Sequence, residues 1–451
     1  MKEHVRLRRA KRLLAEARAA HLASDFACSN RCALELWKLG ERAHAAYHQF
    51  YYHFRITRDF AKAEAMISFA IQHGIDTHQA WHNLGLARRD QARTLEARNA
   101  FGTALAMCPD FVDSLLAFGS TSWELGDDEL AMQAWERGLF LEAPEASAKF
   151  DQATIMLLLQ KQYSRGWRQY AERWQAPLFL ATHEKPAGPT WDGAPIETVF
   201  LFAEQGNGDA IMLLRWLPWV CQRAQRVHLA VHAPLVQLVR ENFPDVVVQR
   251  LEDPLPGYHA QCSLFDLPAL AGVSSPEGVR QGSYLDAPSP YPWSKGPKRV
   301  GLCWAGGTGT QHDWRRSIPF EVVRPLLDVP LGWYVMQLER LEGFDASGLK
   351  TPVWHRDIGP LPNFAATARA LKSFALLVTV DTSIAHLAGA LGVPTWLLIP
   401  RMPDFRWGLT GERTEWYPSI RLFRQEKAHD WASVIARVKA ELEGWSMEQA
   451  A

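Results

Sequence analysis

Three short stretches carry residue types that can hold an anion or move a proton. Glu204-Gln205-Gly206-Asn207-Gly208-Asp209 follows the apolar run TVFLFA. Ala305-Gly306-Gly307-Thr308-Gly309-Thr310 follows RVGLCW and leads into QHDWRRS. Asp381-Thr382-Ser383 follows LLVTV and opens the small-residue segment IAHLAGALG. At a turn from strand to helix the first N–H groups lack partners, and with the helix dipole they accept negative charge. Hydroxyls at Thr308, Thr310, Thr382 and Ser383 add donors, and Arg315 and Arg316 can neutralise a departing anion. Asp209 is a carboxylate able to take a proton, and Gly206 and Gly208 beside it, with Gln205, permit close approach by a substrate. Each feature also has a plainer reading. Asp, Thr and Ser are ordinary helix caps, and Arg315-Arg316 can be an exposed basic loop. His386, one turn into the last segment, either reaches a ligand or is a hydrogen-bonded core residue.

The elements that must position these residues alternate. From about residue 179, apolar runs (TVFLFA, RVHLAV, VVVQRL, RVGLCW, GWYVMQL, FALLVTV, PTWLLI) are separated by helical stretches. That alternation predicts parallel sheets with helices on both faces. A Pro-rich seam over 286–299 divides the region in two. Two doubly wound domains would place ligands at the carboxyl ends of their strands. The boundaries expected are 1–178 for a helical repeat domain, 179–295 for a first Rossmann-like domain and 296–451 for a second that ends in a closing helix.

The front of the chain repeats with a period of 34. Tyr47, Trp81 and Leu115 share that spacing, as do Ala63, Ala97 and Ala131, and Ile67, Phe101 and Trp135. Gly85 and Gly119 follow it too, and Ala70, Ala104 and Gly138 complete the set. The run from Trp81 to Pro109 matches the tetratricopeptide (TPR) pattern. Small residues let paired helices cross closely while large apolar residues fill the next repeat. Such arrays commonly hold an extended peptide on their concave face.

Composition excludes several classes. Lys and Arg number 49, as do Asp and Glu, so no bulk positive field draws nucleic acid or a membrane surface. The basic start, MKEHVRLRRAKRLLAEARAAHLA, lacks the apolar core of a signal peptide. No run reaches the roughly 18 apolar residues of a membrane span. Of six cysteines only Cys28 and Cys32 are close in sequence, and no second pair or His cluster completes a zinc site. Reduced thiols and a cytoplasmic location are expected. No Asp-x-Asp pair of the kind that holds a divalent cation on a diphosphate occurs, and no metal or cofactor is expected. The oligomeric state, a homo-oligomer included, stays open.

Taken together, FAEQGNGDAIMLLRWL, GLCWAGG…DWRRSIP, VDTSIAHLAGALGVPTWLL and PDFRWG…EWYPSIRLFRQ resemble bacterial TPR-containing glycosyltransferases. The later two thirds are similar to the ADP-heptose heptosyltransferases and, more distantly, to TPR-fused O-linked N-acetylglucosaminyltransferases. The resemblance implies a TPR solenoid followed by the two Rossmann-like domains of a GT-B fold. It also implies a nucleotide-diphospho-sugar donor in the second of these domains, and inverting transfer to an acceptor hydroxyl on a protein held by the repeats. Under it Asp209 is the general base, and Gly306, Gly307, Thr308, Gly309, Thr310, Arg315, Arg316, Asp381, Thr382, Ser383 and His386 surround the donor. Gln337 meets the nucleotide, and Gln205, Gly206 and Gly208 form the acceptor-side loop. Relatives carry a Lys/His-rich run before Asp and Arg-x-Arg-Ser, where this chain has Gln311-His312-Asp313-Trp314-Arg315-Arg316-Ser317. That departure supports a rival reading, a repeat adaptor whose second half is a degenerate nucleotide-binding module. Trp407, Trp416 and Tyr417 are expected to pack, locking the final helix.

Overall fold

The computed structural model describes most of the chain. The longer segments outside the described residues are 1–7, 21–27, 36–50, 142–156, 288–298, 308–312, 345–352, 356–360 and 449–451, with shorter gaps mainly before residue 60. The repeat position at Tyr47, most of the Pro-rich seam, and Thr308, Gly309 and Thr310 therefore lie outside them. The chain divides into two compact units, residues 1–156 with 172–185, and 157–171 with 186–451.

In the first unit, helices α1 (Phe60–Gln72), α2 (His78–Asp90), α3 (Thr94–Met107), α4 (Val112–Leu125) and α5 (Asp128–Phe140) follow one another through short turns. The 34-residue period has a direct physical cause here. A Cβ on Gly85 would lie 2.5 Å from the Phe101 ring, and one on Gly119 would lie 2.5 Å from Trp135 Nε1. Each pair couples the first helix of a hairpin to the second at the same point of successive repeats. Ala63, Ile67, Ala80, Leu84, Ala97 and Phe101 form the buried core between them. Gly126, at φ 89°, ends α4 in the left-handed conformation.

The second unit holds two parallel sheets. The first comprises β1 (Ile196–Phe202), β2 (Ala224–Val231), β3 (Val247–Arg250) and β4 (Ala260–Ser263), in the order β3-β2-β1-β4. The second comprises β5 (Arg299–Cys303), β6 (Gly332–Val335), β7 (Val353–His355), β8 (Leu376–Val380), β9 (Thr395–Ile399) and β10 (Ile420–Arg424), in the order β10-β9-β8-β5-β6-β7. All pairings within both sheets are parallel. Near-continuous apolar runs such as LLVTV are buried along their length, as a sheet covered on both faces requires. The strand order reverses between β1 and β4 and between β5 and β8. Those are the switch points at which doubly wound sheets open a ligand crevice.

Helix α6 (Tyr163–Ala171) belongs to this second unit. Trp167 sets its ring edge-on to Phe405 and Trp416, and Tyr170 stacks on Phe265 with centroids 4.8 Å apart. Four more helices matter for the site and its support: α7 (Asn207–Leu213), α8 (Phe364–Leu371), α9 (Ser383–Leu391) and α10 (Trp431–Glu448). The last of these buries Trp431, Val434, Ile435, Val438 and Leu442 in one cluster with Val300, Leu302, Trp333 and Val378 of the second sheet. Trp407, Trp416 and Tyr417, expected to hold that final helix, pack elsewhere: Trp416 against Trp167 of α6, Trp216 and Phe405, and Trp407 and Tyr417 against His386 of α9.

The glycines provide a test of sign. Gly85→Ala inserts a methyl into the Phe101 ring and should lower the unfolding free energy by about 1–3 kcal/mol. Gly444, helical and exposed with open space at its Cβ position, is the converse case. Gly444→Ala should raise stability by about 0.5–1 kcal/mol. Urea titrations of both variants check the pair, and a shift of the same sign in both would contradict the packing described.

Candidate functional site

The helix tips at the two switch points of the second unit meet. Helix α7 follows β1 through Glu204 to Gly206, and α9 follows β8 through Asp381 and Thr382. A Cβ on Gly208 would fall 2.8 Å from His386 Cδ2 and 3.2 Å from Ser383 Cα. Glycine at 208 is what lets the two tips touch. Gly206 N donates to Asp209 Oδ2 at 3.1 Å, so the carboxylate closes the first turn of its helix from the third position, with Gly206 and not Asp209 as the N-cap. The other oxygen, Oδ1, pairs with Arg406 Nη2. The Asp209 side chain keeps 23% of its surface accessible. Burial pushes its carboxyl above the usual range, opposed by the pull of Arg406.

Arg406 is the residue that sequence reasoning missed. It is buried, donates to Asp404 Oδ1 at 2.7 Å and to Met212 Sδ at 3.0 Å, and so joins the α7 side to the turn after β9. Burial and the neighbouring Asp404 push the Asp381 carboxyl up to about 6. Three aspartates thus gather near one guanidinium. The only signal in sequence was an arginine set among aromatics in PDFRWG.

At the tip of α9, Thr382 is the N-cap residue in extended conformation, yet its side chain makes no cap bond. Its Oγ1 lies 3.4 Å from the Val380 carbonyl instead. Among the described residues, the amides of Ser383 and Ile384 have no acceptor. Arg316 Nη1 donates to the Asp381 carbonyl at 2.9 Å, bringing positive charge to the same tip. Asp313 holds Arg316 in place. It is buried, accepts from Arg316 Nε at 3.0 Å and from Ser317 Oγ at 2.6 Å, and also pairs with Arg340. Gly306 lies directly beneath, where a Cβ would meet Asp313 Oδ1 at 2.4 Å. Gly307 has open space at its Cβ position.

Other expected residues take different places. Arg315 lies over the Trp314 ring, 5.1 Å from its centroid. Gln337 is a splint for the loop after β5. Its Oε1 accepts from Trp304 N and Ala305 N, both at 3.1 Å, and its Nε2 donates to Ala305 O. His386 follows the plainer of its two readings. It is buried, bonds Tyr417 Oη through Nδ1 at 2.9 Å and stacks on Trp407. Burial first, and then nearby arginines, lower its pKa far enough to keep the ring neutral. The small residues of α9 also have a second purpose: a Cβ on Gly389 would lie 2.4 Å from the Tyr417 ring. Gln205 bonds the Tyr170 hydroxyl, and its carbonyl meets His232. Arg215 is a further buried cation, flanked by Trp416, Tyr417 and Tyr284 and bonded to the carbonyls of Met212, Val279 and Trp416. These bonds hold the floor of the site.

No family model matches the chain. Protein FlbA of Caulobacter vibrioides is 26% identical over 403 residues, covering 80% of this chain and 66% of that protein. The present chain thus spans just under two thirds of that relative. Among solved structures, a single-site mutant of the Thermobaculum terrenum O-GlcNAc transferase is similar over 98% of this chain and 94% of its own, at 12% identity and a TM-score of 0.38. YrrB, a TPR protein with an unusual peptide-binding site, is similar over 37% of this chain and 83% of its own, at 13% identity and a TM-score of 0.27.

The raised Asp381 pKa gives a stability test. A folded carboxyl titrating near 6 rather than at the ordinary 3.8 favours folding only while protonated. That contribution is present below about pH 4 and is lost as pH rises to about 6. Asp381→Asn should therefore stabilise the protein at pH 7.5 by up to about 3 kcal/mol, and the gain should shrink toward zero near pH 4. Urea midpoints at the two pH values check this; an equal gain at both would contradict it.

Proposed function

We propose that the second unit is a nucleotide-diphospho-sugar glycosyltransferase, inverting and independent of a metal, which acts on an acceptor hydroxyl of a protein held by the helical repeats. One observation carries the reading: the two switch-point tips meet, with Asp209 on one and the Arg316-flanked N-terminus of α9 on the other. A developing diphosphate at the α9 tip would find the Ser383 and Ile384 amides, the Thr382 and Ser383 hydroxyls and the Arg316 charge. Together they replace the cation that other sugar transferases use. Asp209 takes the acceptor proton as the acceptor oxygen bonds to the anomeric carbon. The bond from that carbon to the phosphate oxygen breaks with inversion, and the nucleoside diphosphate leaves. Each Asp209 oxygen already has one partner, Gly206 N or Arg406, and keeps a further lone pair with which to take the proton. Sequence similarity to FlbA over most of the chain is compatible with this reading and names no reaction.

A second reading has its own observation. The Arg406 pair on Asp209 and the backbone contact between Gly208 and Ser383 close the space directly between the tips. This supports a non-catalytic adaptor whose second unit binds a nucleotide or a partner.

Thermal shifts with a panel of nucleoside diphosphates, followed by mass analysis of host lysate incubated with sugar nucleotides, separate the two. A transferase should be stabilised by one nucleoside diphosphate over the others and should yield new glycopeptides. Asp209→Asn should cut transfer about 10²–10⁴-fold and keep the nucleotide-induced shift, whereas Arg316→Ala should lose most of that shift. An unchanged rate in Asp209→Asn would remove the base assignment. Nucleotide binding without any transfer would establish the adaptor.

A further inference from the structure

Among the described residues, three ligand-type side chains converge far from the site above. Glu16, Cys28 and Cys32 place a carboxylate oxygen and two thiol sulfurs within 4.8 Å of one another. All three are helical residues of the first unit. Cys28 and Cys32 are one helical turn apart and so share a face, and Glu16 reaches the same point from twelve positions upstream. Cys32 is buried, Cys28 half-buried and Glu16 exposed, which grades the cluster from protein interior to solvent. None of the six cysteines is joined in a disulfide.

We propose that Glu16, Cys28 and Cys32 form a three-ligand site for a thiophilic divalent cation, Zn²⁺ above all, with a fourth position open toward solvent. The ligand chemistry and spacing agree. Zinc takes thiolate and carboxylate together, and two cysteines with three residues between them fall within its usual local spacing. Ligand atoms on a tetrahedral zinc lie about 3.5–3.8 Å apart, so binding would draw the three side chains closer together than they stand now. Without a cation the two cysteines stay protonated thiols beside the carboxylate. With one, both thiols give up their protons and the negative charges are compensated. Sequence spacing alone showed a single cysteine pair; the carboxylate that adds a third ligand is visible only in the fold. The site is independent of the transferase reading.

The test uses the full-length chain stripped of metal by a chelator and titrated with Cd²⁺ and Zn²⁺. The expected results are one equivalent of Cd²⁺ bound, with an ultraviolet thiolate-to-metal band, and displacement of that band by Zn²⁺. Cys32→Ser and Cys28→Ser should each lose the band. Glu16→Gln, which keeps both thiols, should weaken zinc binding at least about tenfold, the low end of what losing even an indirect ligand partner costs. Cys221→Ser, a change at an exposed cysteine elsewhere, should leave the band intact. Absence of the band in the unmodified chain, its survival in Cys32→Ser, or wild-type affinity in Glu16→Gln would each overturn the proposal. So would a mass loss of two hydrogens from Cys28 and Cys32 with no metal bound, because the pair would then be a disulfide couple.

Discussion

The contact between the tips of α7 and α9 is the constraint on which the rest of the second unit depends. Gly208 must lack a side chain for the two backbones to meet, and the charges gathered there must then be compensated inside a poorly solvated space. Arg406 does this for Asp209 and Asp404, while Asp313 and the Asp381 carbonyl fix Arg316. Removing one partner of such a buried pair leaves an uncompensated charge, which costs far more than the intact pair contributes. The network is therefore better understood as setting a unique geometry than as adding stability.

That geometry also explains the composition of the helices around it. Helix α9 is built of Ala and Gly because Tyr417 lies against Gly389 and α7 lies against its first turn. Tyr417 in turn meets His386, and Arg215 is enclosed by Trp416, Tyr417 and Tyr284. An aromatic layer thus supports the polar tips from behind. Burial and Asp404 hold the Asp381 carboxyl above its usual range, a local cost in stability at neutral pH.

Much of the fold was legible in the sequence because it rests on local periods. The 34-residue repeat is a packing rule, a glycine under an aromatic ring, and the sheets are apolar runs separated by helical stretches. The turns at Asp209, Arg316 and Asp381 were legible for the same reason, since strand-to-helix turns announce themselves by Gly, Ser, Thr and Asp. What stayed hidden depends on partners far apart in the chain. Arg406 and Asp209 are separated by 197 positions, and no local pattern ties them. Gln337 looked like a ligand contact because it ends a strand, but its carboxamide is spent on Trp304 and Ala305. His386 could not be assigned until Tyr417 and Trp407 were placed around it. The carboxylate of Glu16 beside two cysteines was invisible for the same reason.

The central claim is that the tip of α9 receives the phosphates of a nucleotide. Hydrogen–deuterium exchange with and without the nucleoside diphosphate that stabilises the protein most is its most direct test. The account predicts slowed exchange in peptides spanning Thr382 to His386, lost in Arg316→Ala. Protection confined to other segments, with none around Ser383, would contradict it.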